Sequence, residues 1–464
     1  MSAMPQHVDP PLAQPALKPA AVRDVAPGAP PVSRARAHWT LFVLLLVYGM
    51  NLVDRQIMGV LIEPVKREFG VSDTYMGLLS GLAFAAFYSI LAIPFARYAD
   101  RAHRRNFVAL CCLGWSVMTG LCGMAGSFVQ LALARMGVAV GEAGGSAPSL
   151  SMIADLYPPE QRSRAMSIYM LGPHLGTLIG LGAGAYIAQK HGWRTAFMVM
   201  AVPGILAGVL LRFTSAEPRR GQWDTVVEAA NATKAFAVRD PFTKVLGELM
   251  RMPGFAAIVV SGLLFGLAGY GLGIWGTAFL VRTHGLALRD AGILVGLTGG
   301  VASITGALIS GWLTDALCKR HAGWQMGVPL IGTAIAIPCG LAYLLWPAGN
   351  PWHLGPLEVP RAMGFCLLFS IFAVWWTAPS YAAITTIVPS HRRATGVAVY
   401  NLGITMFGIG LGPLTVGMLS DALTPTYGPL ALRWALVIVL FTFVLAMGAM
   451  AMAMGPYARA RMRA

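Results

Sequence analysis

The sequence predicts an all-α membrane protein in which twelve transmembrane helices form two pseudo-symmetric bundles of six. First, 11% of its 464 residues are charged and 56% are hydrophobic, whereas soluble domains carry about 25% charged residues. Second, the apolar residues gather in segments of about 20, enough to cross a hydrocarbon core about 30 Å thick. Third, two loop motifs occur once in each half of the chain. The composition excludes a soluble enzyme, and it excludes nucleic acid as the partner that a net charge of +15 would suggest.

The twelve segments are the apolar runs between charged or Pro- and Gly-rich breaks. The first six are Trp39 to Leu61, Tyr75 to Phe95, Phe107 to Phe128, Leu131 to Ala154, Met166 to Ala188 and Thr195 to Phe213. The second six are Phe255 to Val281, Ala291 to Leu317, Met326 to Trp346, Met363 to Val388, Thr395 to Leu419 and Ala431 to Met454.

The chain is divided accordingly. The predicted parts are a disordered cytoplasmic tail (1–38), an N-terminal six-helix bundle (39–213), a cytoplasmic linker (214–253), a C-terminal six-helix bundle (254–455) and a cytoplasmic tail (456–464). The first tail is rich in proline and has no apolar segment behind a charged start, so we expect no cleavable signal peptide. The six cysteines show no disulfide or metal spacing, and we predict neither a metal site nor a cofactor.

The distribution of cations predicts the orientation. With both termini in the cytoplasm, 24 of the 34 Lys and Arg residues lie on the cytoplasmic side, eight lie on the other side, and Arg55 and Arg135 lie inside spans. Cytoplasmic loops carry the excess of Lys and Arg. We therefore expect a multi-pass protein of the inner cell membrane, with the bilayer as a partner.

An internal repeat relates the two halves. The loop after the second span, residues 96–105, shares its acid and paired cations with the loop after the eighth span, residues 311–320. A second match follows the fourth and tenth spans, where Arg162 corresponds to Arg393. Two halves with the same topology are typical of one large class of transporters.

The repeated loop resembles the signature of the major facilitator superfamily. Ala96 and His103 stand where that signature usually has glycine. An acid at a helix end beside several cations can form an interdomain latch that holds one face closed, and rocking of the bundles would break it. The alternative is a solvated basic loop that only fixes topology. The predicted latch residues are Asp100, Arg101, Arg104, Arg105, Arg162, Asp315, Lys319, Arg320 and Arg393.

The N-terminal half resembles the spinster family within that superfamily. The resemblance is carried by Asn51-Leu52-Val53-Asp54-Arg55, Arg135 with Gly141-Glu142-Ala143, Ile153-Ala154-Asp155-Leu156 and Gln161-Arg162-Ser163-Arg164. It implies transport of lipids or lipid-like amphiphiles of the sphingolipid or lysophospholipid type, with proton coupling in some members. The C-terminal half supports only the broader superfamily.

Four ionisable residues interrupt apolar spans: Asp54, Arg55, Arg135 and Glu142. Each costs about 2.5–3.5 kcal/mol at a helix centre, so we expect them to face a cavity or one another. Desolvation favours the neutral carboxyl and a neighbouring arginine favours the carboxylate. Our hypothesis is that Asp54 and Glu142 exchange a proton as the cavity alternates, with both arginines as switching partners. The alternative is a permanent salt-bridge cluster.

The second half has uncharged candidates for the opposite cavity wall. They are Tyr270, Trp376, Tyr381 and Asn401, joined from the first half by Tyr88 and His174. A wall of arginines facing a wall of aromatic residues suits an amphiphile with an anionic or zwitterionic head. The alternative is that most of these aromatic residues only pack or anchor helices at the membrane interface.

These observations predict a monomeric secondary transporter that works by alternating access, with a small-molecule or lipid substrate and protons as partners. A proton-linked transporter of a small organic anion is the first alternative, with Arg55 and Arg135 clamping a carboxylate. A passive scramblase is the second. No nucleophile or metal constellation supports a membrane enzyme, and no phosphate-binding loop supports ATP drive.

Overall fold

The computed structural model describes residues 32–221, 223, 242–389 and 392–463. Most of these residues are helical. The helices of the first half are α1 (Arg34–Phe69), α2 (Asp73–Ser80), α3 (Leu82–Ala99), α4 (Arg104–Gly123), α5 (Phe128–Glu142), α6 (Ser146–Leu156), α7 (Pro159–Tyr169), α8 (Leu171–His191) and α9 (Trp193–Thr214).

The second half repeats this pattern with more interruptions. Its helices are α10 (Phe242–Arg251), α11 (Phe255–His284), α12 (Leu288–Leu297), α13 (Ser303–Cys318), α14 (Trp324–Leu345), α15 (Met363–Phe372), α16 (Thr377–Ile387), α17 (Arg393–Gly403), α18 (Gly412–Tyr427), α19 (Ala431–Leu440) and α20 (Thr442–Arg463). A short antiparallel hairpin, β1 (Trp352–Leu354) and β2 (Leu357–Val359), joins α14 to α15. The sequence reading does not predict this hairpin.

Each predicted span coincides with one helix or with consecutive helices. Nine helical stretches of the described residues are long and apolar enough to cross a bilayer. The fourth predicted span is divided, because the chain turns between Glu142 and Ser146. The eleventh and twelfth spans run on as one apolar stretch. The helical membrane fold is confirmed, and the predicted count of twelve is consistent with it without a span-by-span match.

The boundaries of the predicted parts differ from the helix ends. α1 begins at Arg34, five residues before the predicted span, because the Ser33 side chain accepts a hydrogen bond from the Arg36 N–H and caps the helix. At the other terminus, α20 continues past Pro456 to Arg463, where we predict a tail. Residues 1–31, most of the predicted first tail, and residues 222 and 224–241 of the predicted linker lie outside the described residues.

Two helices change to π geometry midway. One π segment, Thr298–Ala302, joins α12 to α13, and another, Ile404–Leu411, joins α17 to α18. The second predicted span, which corresponds to the eighth span with its π segment Thr298–Ala302, is broken at Gly81, between α2 and α3. Such local distortions occur often at functional sites, and all three lie at the level where the two halves enclose a cavity.

We call the end of the bundle that carries the start of α1 and residues 215–223 the linker end, and the opposite end the far end. The described parts of the linker bind different halves. Glu217 pairs with Arg104 of the first half, and Glu248 on α10 pairs with Arg392 of the second half.

The two halves pack closely from the far end to the middle. Gly417 on α18 lies against Asp73, and Gly410 lies against Ala85 further along. α8 and α12 meet in the same zone, where a Cβ at Gly292 would lie 2.3 Å from the Ala185 Cβ. Real Cβ atoms do not approach so closely, so this contact requires glycine.

Gly292→Val is therefore expected to force α8 and α12 apart and to favour an open far end. Overpacking of this kind costs about 1–3 kcal/mol. In a cysteine-free background, Gln189→Cys and Arg289→Cys place thiols on the two helices, where the Gln189 amide oxygen accepts the Arg289 backbone N–H at 2.7 Å. The yield of a short crosslinker should fall severalfold with Gly292→Val. Gly114→Val is the matched control, because nothing lies within 4 Å of the Cβ position at Gly114; an unchanged yield with Gly292→Val would contradict the argument.

Candidate functional site

The structure brings the four intramembrane charges together where α1 meets α5. The Arg55 Nε donates to the Glu142 Oε2 at 2.6 Å. The Glu142 side chain is fully buried, whereas 20% of the Arg55 side chain is exposed. This ion pair joins the first helix to the fourth predicted span, and the arginine is its exposed partner.

Arg135 and Asp54 are close but do not form an ion pair. The Arg135 Nη1 donates at 2.9 Å to the backbone carbonyl of Asp54. The Asp54 side chain is 1% exposed, and its Oδ1 has no hydrogen-bond partner within the described chain. The uncharged Trp115 and Thr119 lie beside this carboxyl group, and Glu142 and Arg135 are its charged neighbours. The Arg135 guanidinium therefore binds the backbone of this residue and not its carboxyl group.

Aromatic rings fix the positions of both arginines. The guanidinium of Arg55 lies 5.0 Å from the ring centre of Phe84 and 4.7 Å from that of Tyr88, and Arg135 lies 5.5 Å from Phe84. Cation–π contacts at this range are favourable, more so where water is excluded. Two cations thus share one aromatic surface on α3, which brings Tyr88 into the cluster.

A central cavity of about 440 Å³ lies between the two halves. Arg55 and Arg135 line it directly, while Asp54 and Glu142 lie behind them. Residues of the first half on its wall also include Leu52, Gln56, Ser80, Phe84, Thr177 and Leu181. Ligand pockets typically occupy about 300–1,000 Å³, so the cavity has the size of a binding site.

The predicted wall of the second half is realised in part. Tyr270 and Trp376 line the cavity, and the Trp376 ring stacks on Phe265 at 5.3 Å. Tyr381 and Asn401 are hydrogen-bonded to each other on α16 and α17, nearer the linker end. Neither they nor Tyr88 and His174 are among the residues that line this cavity.

The far end is closed by a network that the sequence reading missed. Arg282 on α11 donates two hydrogen bonds to the Asp73 carboxylate, at 2.6 and 2.8 Å, and a third to Glu63 at 2.6 Å. Asp73 is 2% exposed and also accepts from Lys66 at 2.5 Å and from Ser420 at 2.6 Å. Arg282 and Ser420 belong to the second half, and the other three belong to the first.

A second contact of this network caps α2 from the other half. The Asp421 carboxylate accepts the backbone N–H of Asp73 at 3.0 Å and that of Thr74 at 2.8 Å, together with the Thr74 hydroxyl at 2.6 Å. A carboxylate at a helix N-terminus binds free N–H groups and interacts favourably with the helix dipole. We call Glu63, Asp73, Thr74, Arg282, Ser420 and Asp421 the far-end gate.

The predicted latch residues lie at the linker end without bridging the halves. Arg104 is 1% exposed and pairs with Asp155 and with Glu217, at 3.0 Å for the latter. The Arg105 N–H binds the other Glu217 oxygen at 2.6 Å. Within the described residues, none of the nine predicted latch residues is ion-paired with the other half. Arg101, Asp315, Lys319 and Arg320 are exposed, and Arg393 donates to the Val388 carbonyl of its own half.

A helical bundle of two related halves around a central cavity, lined by two arginines and closed at the far end by ion pairs, is typical of a membrane transporter. The family model of the Major Facilitator Superfamily matches residues 44–413. The chain therefore belongs to the major facilitator superfamily, whose members are transporters rather than enzymes.

Individual relatives show which members of the superfamily the chain is similar to. The chain is 34% identical to an MFS-type efflux pump of Mycolicibacterium smegmatis, over 87% of this chain and 89% of that protein. It is 28% identical to the sphingosine-1-phosphate transporter SPNS2 of Danio rerio, over 86% and 81% of the two chains. A solved bacterial homologue of the human lysosomal transporter spinster, inward-facing and unoccupied, superposes with a TM-score of 0.78 at 30% identity, over 92% of this chain and 99% of that one. The predicted superfamily and the predicted spinster resemblance are both confirmed.

Proposed function

We propose that this protein is a proton-coupled secondary transporter of a lipid-like anionic amphiphile, of the lysophospholipid or sphingolipid type, and that it works by alternating access. The observation that carries the proposal is the cavity between the halves. Arg55 and Arg135 supply positive charge at its wall, whereas most other lining residues are apolar or aromatic. A cationic site surrounded by apolar surface fits a charged head with an attached chain.

The orientation proposed from the cations places the linker end in the cytoplasm. The far-end gate then seals the outer side, and the cytoplasmic latch is not engaged. This arrangement corresponds to an inward-facing state, in agreement with the state described for the solved spinster homologue. In the outward-facing state, closure of the linker end would bring the predicted latch residues of the two halves together.

Proton coupling is supported by the contrast between the two buried carboxyls. Glu142 has a cation, Arg55, and Asp54 has none within hydrogen-bond reach in the described chain. A substrate anion that draws Arg55 into the cavity would leave Glu142 without its partner. Glu142 would then take up a proton, because an unpaired buried carboxylate is costly.

A ligand screen tests the substrate class. Purified protein is expected to gain thermal stability with 1-oleoyl lysophosphatidic acid or a sphingoid phosphate, and to gain less with gluconate or benzoate. Arg55→Gln should remove most of the lipid effect, because it removes the exposed cation. The matched control is Arg289→Gln, at the far end outside the cavity. Stabilisation by the small acids alone would instead support transport of a small organic anion, with the arginines clamping its carboxylate.

A further inference from the structure

The second half of the cavity wall carries uncharged polar side chains that the proposed function does not use. The Cys366 Sγ lies 3.9 Å from the Thr298 Oγ1, and Ser370 and Tyr343 are its other polar neighbours. All four residues line the cavity. They come from the π segment after α12, from α14 and from α15. We call Thr298, Tyr343, Cys366 and Ser370 the hydroxyl cluster.

The local structure holds this cluster ready for a ligand. The Thr298 hydroxyl donates to the Leu294 carbonyl at 2.9 Å, and the weak Cys366 thiol contact uses one of its oxygen lone pairs, so the other stays available as an acceptor. The Tyr343 ring is held edge-on against Phe279, with ring centres 5.2 Å apart. The π geometry begins at Thr298 itself and alters which residues of this helix face the cavity. The polar groups are therefore fixed by packing and helix geometry.

The two walls of the cavity, one from each half of the chain, differ in charge. On the described wall of the second half no lining residue is charged, whereas Arg55 and Arg135 line the first half. Phe265, Phe369 and Trp376 are also part of the lining. Uncharged hydroxyls favour hydrogen-bonding groups without net charge, because a buried ion facing only neutral groups would lose its hydration without compensation.

We infer that the hydroxyl cluster is a second ligand subsite, which binds an uncharged hydrogen-bonding group, such as a hydroxyl, of an amphiphile whose anionic group lies at Arg55. This inference rests on the proposed function and adds to it a requirement on the substrate. The transported molecule carries two polar groups, one anionic and one neutral, and not an anion alone.

The test compares two ligands that differ by one hydroxyl. 1-Oleoyl lysophosphatidic acid and its 2-deoxy analogue share the phosphate and the acyl chain. The wild-type protein should bind the hydroxyl-bearing ligand about 2- to 12-fold more tightly, the range for one net hydrogen bond. Thr298→Val and Tyr343→Phe should bring this ratio close to one, while Arg55→Gln should weaken both ligands alike.

Matched controls separate the subsite from general effects on folding. Thr305→Val changes an exposed threonine on α13, and Tyr427→Phe changes an exposed tyrosine at the end of α18; both should keep the wild-type ratio. As a second readout, a variant that retains only Cys366 should be protected from N-ethylmaleimide by the hydroxyl-bearing ligand and not by inorganic phosphate.

The outcomes distinguish failure of the proposed subsite from failure of the proposed function. Equal wild-type affinity for the two ligands, with binding still dependent on Arg55, would overturn the subsite and leave the proposed function intact. Failure of both ligands to bind would refute the lipid assignment and the subsite with it. A ratio unchanged by Thr298→Val and by Tyr343→Phe would remove the hydroxyl cluster from recognition.

Discussion

Glu142→Gln and Asp54→Asn are each expected to lower pH-driven uptake into proteoliposomes by about 5- to 150-fold, the range for couplings of about 1–3 kcal/mol. Both substitutions remove a titratable group at nearly constant shape. Exchange of internal for external substrate should stay near the wild-type rate, since exchange does not require net proton movement. The measurement is uptake of a labelled lysophospholipid, with and without an imposed pH gradient.

Glu160→Gln is the control for loss of a carboxylate, because Glu160 is exposed on α7 and lies outside the charged cluster. A purely structural ion pair makes a different prediction, in which uptake, exchange and thermal stability fall together. The double variant Arg55→Gln with Glu142→Gln sharpens the distinction. It removes both charges of the Arg55–Glu142 ion pair together, so a structural role of this pair predicts recovered stability. Wild-type pH dependence in both single variants would exclude the coupling role.

Arg282→Ala is expected to open the far end and to shift the protein away from the described conformation. The substitution removes the bidentate bond to Asp73 and the bond to Glu63. Loss of one partner of a buried ion pair costs about 3–5 kcal/mol, which exceeds a hundredfold in a conformational equilibrium. Spin labels at Arg67→Cys and Thr426→Cys, exposed at this end in different halves, should report a longer mean distance, and uptake should fall at least tenfold.

Arg289→Ala is the matched control, because this arginine also lies at the far end but its side chain pairs with Asp290 of the same half. Arg282→Lys should restore closure only in part, since lysine cannot form the bidentate pair. An unchanged distance distribution with Arg282→Ala would show that the close glycine contacts hold this end shut without the ion pairs.

Much of the fold is predictable from composition and from the spacing of apolar runs, because membrane-spanning helices must be long and apolar. Positions where the helices break are harder to predict. The π segments at Thr298 and Ile404 and the break at Gly81 occur within continuous apolar runs, and hydropathy does not distinguish a distorted turn from a regular one. The hairpin β1–β2 is missed because its strands are three residues long.

Part of the candidate site is likewise predictable from the sequence, and part is not. Asp54, Arg55, Arg135 and Glu142 are conspicuous because charge is rare inside apolar spans. The far-end gate is not conspicuous, since Asp73, Arg282 and Asp421 occur near helix ends, where charged residues are ordinary. A signal was available in Lys66 and Arg282, two of the eight cations on the side that is poor in positive charge, but no spacing in the chain relates α2 to α18.

The sequence by itself determined that this protein crosses the membrane and which four charges lie inside apolar spans, because both follow from the cost of polar groups in hydrocarbon. The repeated loops also showed that its halves are related. Only the tertiary structure decided the partners. Arg135 binds the Asp54 carbonyl and not its carboxylate, Arg104 binds Asp155 and Glu217 of its own side, and Arg282 closes the far end. Partner choice depends on how helices distant in sequence are rotated and shifted against one another, and the linear chain does not state that geometry.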